Sequence, residues 1–132
     1  MGGAGDALVV VLEDTVDAAD CALDLQQAMG AIDFTAARLP GHLALRLGGH
    51  VGPVFPSSDP VRAEPTFTGS HVSRTARIEP VTPPGAVYVT NAFAAALVLD
   101  GGNDLTCDYV GHMPAAKDWG RLRMHRLGRR GP

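Results

Sequence analysis

The stretch "TGSHVSRTARIEPVTPPG", residues 68 to 85, concentrates the side chains with the clearest chemical use. Gly69 precedes a helix start, an arginine-bearing helix follows, and Pro83-Pro84-Gly85 ends it. Ser73 and Arg77 stand four residues apart, which puts a hydroxyl and a fixed positive charge on one helix face. Arg74 does not share that face, because one step along a helix turns the side chain by about 100°. The plainer reading of Arg77 is a surface arginine paired with Glu79, and of Ser73 a helix-start residue. Asp6, in "GAGDA", is either a turn aspartate or a ligand for a hard cation, which prefers carboxylate oxygen. Lys117, in "AAKDWG", reads as a hairpin lysine.

Other chemistries find little support. The histidines at 42, 50, 71, 112 and 125 lack metal-ligand spacing, and His50 reads as a packed or hydrogen-bonded residue. No Ser/His/Asp set and no phosphate-binding Gly-Lys-Ser loop is present. The arginines at 121, 123, 126, 129 and 130 read as a solvated last strand and a basic tail, residues 129–132. A net charge of −3 gives no reason to expect nucleic acid as a partner. No apolar run reaches the roughly 18 residues of a membrane span, and the first residues lack the basic start of a signal peptide. Cys21 and Cys107 fit reduced thiols, and the expected location is cytoplasmic.

The elements that would position these residues alternate in type. A length of 132 residues allows one domain, and 45% hydrophobic with 19% charged residues is a globular composition. "ALVVVLE", residues 7–13, reads as a buried strand. A helix follows, capped by Asp14 and ended by Gly30, with Val16, Ala19, Leu23 and Ala22, Leu25, Met29 forming its apolar face. Residues 33–41 form a loop, "HLALRLGGHVGPVF" a strand, and residues 56–65 a turn-rich loop. "TFTG" and "AVYVT" read as strands on either side of the Arg77 helix. "NAFAAALVL" is a helix opened by Asn91, and "LTCDYVGH" and "RLRMHRL" are late strands. This mixed order argues an α+β fold.

In order and wording the chain resembles the class III nucleotide cyclase catalytic domain, from Gly5 to about Leu127. The resemblance rests on "GDALVVVLEDTVDAADCALDLQQAM", "LALRLGGHVGPV", "FTGSHVSRTARIEPVTPPGAVYVTNAFAAAL" and "YVGHMPAAKDWGRLRMHRL". These match a Gly-Asp hairpin, an R-x-G-x-H-x-G-x-V strand, a G-x-x-V-N-x-x-x-R-x-E helix and a closing Lys-containing hairpin. The wording "HVSRTARIEP" suggests a bacterial subgroup. The resemblance implies a ferredoxin-like core over residues 1–128, with a mixed sheet and helices packed on it. It also implies that a first strand and its helices are missing ahead of Asp6. Strand 7–13 and the strand near 86–89 would then share a gap or close up directly, and the monomer would be marginal.

The family's reaction joins the substrate's 3′-hydroxyl to its α-phosphate and expels pyrophosphate, with Mg²⁺ or Mn²⁺ held by two aspartates. By resemblance Asp6 matches the second aspartate, and the first has no counterpart. Arg77 takes the place of the arginine that stabilises phosphate charge. Ser73 stands where the family has an asparagine that orients the ribose. It is shorter and lacks the amide donor, so it would act through a water. Thr66 and Gly2 fall at the base-reading positions. Thr66 both donates and accepts, and so selects no base. Lys117 falls at a phosphate-binding lysine. The implied partners are a nucleoside triphosphate and a second copy or another cyclase domain, since the family's site forms between two chains. Three readings stand together: a cyclase homology domain inactive alone, an active subunit that uses Ser73, and a non-enzymatic dimerisation or nucleotide-binding module.

Overall fold

The computed structural model describes residues 10–33, 36, 38, 44–53, 55–59, 64–68, 75–114 and 120–130, with backbone alone for 55–59 and 64–68. Two helices, α1 (Thr15–Gly30) and α2 (Asn91–Leu99), accompany six strands. The strands are β1 (Leu47–Gly49), β2 (Phe55–Asp59), β3 (Glu64–Thr68), β4 (Val87–Thr90), β5 (Leu105–Pro114) and β6 (Arg121–Arg129). Four of them form a mixed sheet in the order β1-β4-β6-β5, and β2 and β3 form a separate antiparallel hairpin. The α+β class expected from the element order is the class observed.

Helix α1 starts where the Asp14 carboxylate accepts the backbone N–H of Asp17 at 3.0 Å. Val16, Ala19, Ala22 and Leu23 turn toward Val87, Val89, Phe93, Leu97, Leu105 and Leu127, and this cluster is the core. Leu25, expected on the same face, is 44% exposed. Its position lies about 200° around the helix from Leu23, since each residue advances about 100°. Gln26 ties the helix to the parallel pair. Its amide donates to the carbonyls of Leu45 and Ala86, at 2.9 and 3.0 Å, just before β1 and β4 begin.

Strand β4 is interior. It runs parallel to β1, with Gly48 opposite Tyr88, and antiparallel to β6, with Thr90 opposite Met124. This corrects the expected gap beside residues 86–89, because both edges of that strand are paired. The buried strand expected over 7–13 is not found in its described part: residues 10–13 form no strand, and Val10 and Leu12 are 57% and 44% exposed. No ladder partner lies beside them among the described residues, so alternation of apolar residues alone does not bury them. The 56–65 loop is corrected as well, since Phe55–Asp59 pairs in full register with Glu64–Thr68. Pro56 and Pro65 cost little in a two-strand ribbon, where each strand has a free edge.

Candidate functional site

Side chains alternate across a sheet, so the register separates its two faces. Val87 and Val89 face the helices. Gly48, Tyr88, Thr90 and Met124 therefore face the opposite side. The segment that follows the serine-bearing motif seats on that opposite face. Ile78 is fully buried there, and a Cβ built on Gly48 would stand 2.7 Å from its Cγ2. The glycine of "RLGGHVG" is thus the vacancy that Ile78 fills.

Arg77 immediately precedes Ile78 and is half-buried. It lies in a turn, not in a continuous helix. Helical backbone is found at residues 75–76, and a 3-10 turn runs over Glu79–Val81. Pro80 sets this geometry, since it has no N–H to continue the helix and its ring would strike the carbonyl four residues back. The turn is tightened by Ile78 N–H to the Thr75 carbonyl at 3.1 Å and Thr82 N–H to the Glu79 carbonyl at 3.0 Å. The buried Thr82 hydroxyl donates to the Ile78 carbonyl at 2.8 Å. Gly85, at φ 82°, then reverses the chain, and its N–H meets the Leu45 carbonyl at 2.8 Å.

A polar pair shares this face. His50 Nδ1 and Thr90 Oγ1 lie 2.8 Å apart. The same Thr90 oxygen accepts the N–H of Phe93 at 3.3 Å and so caps α2. The helix opens at Asn91 as expected, and Thr90 is its cap. Asn91 is the first helical residue, and its Oδ1 accepts from His125 Nε2 at 3.0 Å on the helix side. Thr90 as the junction of site face and helix was missed; the available signal was a Thr directly before an apolar helical run.

Of the other candidates, Thr66 lies in β3 opposite Ser57. Asp6, Ser73 and Lys117 lie outside the described residues. The structure therefore brings Ile78, the residue after Arg77, and the His50–Thr90 pair to one sheet face. Among the described residues no group of three or more His, Cys, Asp or Glu side chains could hold a metal ion.

No family model and no curated protein matches the sequence. Solved structures do. The adenylyl cyclase CyaB from P. aeruginosa superposes with a TM-score of 0.72 at 15% identity, over 86% of this chain and 58% of that one. The guanylate cyclase domain of RhGC from Catenaria anguillulae, solved in complex with GTP, gives 0.68 at 18% identity, over 95% of this chain and 65% of that one. An adenylate cyclase from Trypanosoma brucei, in its monomeric state, gives 0.56 at 25% identity, over 88% and 56%. The chain thus spans less than two thirds of the length of each of these chains.

Proposed function

We propose that this chain, whose fold is that of adenylyl and guanylyl cyclase catalytic domains, is a cyclase homology domain of cyclic-nucleotide signalling. In this reading it binds a nucleoside triphosphate and does not cyclise it alone. The observation that carries the reading is the seat of Arg77. A fully buried Ile78 fills the Gly48 vacancy and so fixes the backbone of the residue next to Arg77. A planar cation held in place suits phosphate oxygens, whose charge it meets without reorganising.

What limits the activity is the rest of the motif. Ser73 replaces the asparagine of the resembling family and reaches less far toward a ribose. Among the described residues no group of His, Cys, Asp or Glu side chains fits a divalent ion, and Asp6 lies outside them. A homodimer, or a pairing with another cyclase domain, would complete the face with groups from a second chain. Titrating the chain with ATP and GTP tests the reading. Saturable binding that Arg77→Ala weakens about tenfold or more is expected, the loss of one charge-assisted contact. Absence of binding to either nucleotide would leave a dimerisation module in its place.

A further inference from the structure

The arginines of β6 do not all face the same way. Side chains alternate along a strand, so Arg121, Arg123 and Arg129 share the helix side with the core residue Leu127. Arg126 shares the opposite face with Met124. There it stands in a row that crosses the whole sheet. Gly48 lies opposite Tyr88, Tyr88 opposite Arg126, and Arg126 opposite Asp108. Ile78 fills the vacancy over Gly48, so the segment that carries Arg77 sits at one end of this row. Arg126 is two strands from Gly48, about 10 Å at the usual strand spacing.

The row is charged and open. Arg126 and Asp108 are exposed, and Tyr88 between Arg126 and Gly48 is half-buried. Opposite charges facing each other across a ladder commonly pair. Here they do not: the ion pairs formed among the described residues are those of Arg129 with Asp20 and Asp24. Asp108 is also the only acidic residue on the four strands of the sheet. No other strand residue offsets the charge of Arg126.

We propose that Arg126 is a second phosphate contact of this face, its guanidinium donating to oxygens of the same triphosphate that Arg77 meets. The assignment rests on the triphosphate reading above and adds a residue to it. A triphosphate carries charge along its whole length, so a single arginine leaves part of it unmet. A second planar fork of donors on the same face meets the rest. Asp108 works against the contact, because its carboxylate stands beside Arg126 and repels an arriving phosphate. The site lies at the surface, so salt weakens it.

Calorimetric titration of the full chain with ATP, GTP and inorganic tripolyphosphate tests this. Arg126→Ala should weaken all three by about fivefold, the upper range for one exposed charge pair. The loss should be equal for the three, since phosphate is what they share, and binding should become less sensitive to salt. Arg126→Lys keeps the charge and should recover part of the loss. Asp108→Asn should tighten all three by about twofold. Arg123→Ala removes the same charge from the other face of the same strand and should leave binding unchanged. Arg123, Arg126 and Asp108 are exposed, so thermal unfolding of these variants should match the parent. A parent that binds, with an Arg126→Ala variant that binds as well, overturns the assignment and leaves the triphosphate reading standing. So does a loss that Arg123→Ala matches, or one confined to the nucleotides and not seen with tripolyphosphate. A parent that binds none of the three overturns both.

Discussion

Arg77 is followed in sequence by the residue that anchors its segment. Ile78 has no accessible surface, and its Cγ2 and Cβ would lie 2.7 and 2.9 Å from a Cβ at Gly48. Gly48→Ala must therefore push the 77–81 segment off the sheet, although the glycine's backbone conformation is ordinary. Overpacking of this kind costs about 1–3 kcal/mol. Urea unfolding should show that loss, and the proposed triphosphate binding should fall with it, since Arg77 adjoins Ile78. A stable Gly48→Ala variant with unchanged binding would break the link between the seat and the charge. Cys107 gives a second residue-scale expectation. Burial, and secondarily the negative charge of Asp108, push its thiol up from the usual range. Only the thiolate is alkylated. The pH profile of Cys107 alkylation should thus lie to the alkaline side of an ordinary thiol, and Asp108→Asn should move it part of the way back. Because the folded thiol ionises later than the unfolded one, its contribution to stability is present below the unfolded pKa and is lost as pH rises through the folded one.

Among the elements, the two helices were the most legible. The limits read for α1 agree with Thr15–Gly30 and those for α2 with Asn91–Leu99, because capping residues and an apolar stripe are local signals. The hairpin at 55–68 was not legible in full. Pro56, Ser57, Ser58 and Asp59 are poor strand formers, and only pairing with Glu64–Thr68 orders them as one. The Arg77 segment was misread as one helix although Pro80 was in plain view; a proline three residues on forbids the last turn. Thr90 joins two elements, since one hydroxyl caps α2 and meets His50. Thr90→Ala should cost about 1–2 kcal/mol, at the upper part of the range for a lost cap because the His50 partner is lost as well. Thr90→Ser keeps the oxygen and should recover most of it. Chemical denaturation of the two variants makes the comparison, and equal losses would show that the methyl, not the hydroxyl, matters.

For the whole molecule, the sheet order is what the sequence least disclosed. Residues 47–49 and 87–90 lie some forty positions apart, yet they pair in parallel as neighbours, and no local pattern encodes such a crossover. Arg129 shows the same gap between sequence and contact. Taken for the start of a basic tail, it ends β6 and pairs with Asp24 of α1 at 2.6 Å, which holds it more firmly protonated. In the sequence Gly48 reads as a bend and His50 as a packed or hydrogen-bonded residue; that Ile78 seats on Gly48 and His50 meets Thr90 depends on the register of β1 on β4, which no local pattern carries. The fold is that of cyclase catalytic domains; the proposal adds that Arg77 meets a triphosphate and that the chain does not complete the reaction alone. The most direct test incubates it with ATP, GTP, CTP or UTP and Mg²⁺ or Mn²⁺, then measures 3′,5′-cyclic nucleotide by mass spectrometry. No product above the protein-free blank is expected. Cyclic nucleotide that appears with the chain and disappears with Arg77→Ala and Asp6→Ala would contradict the claim.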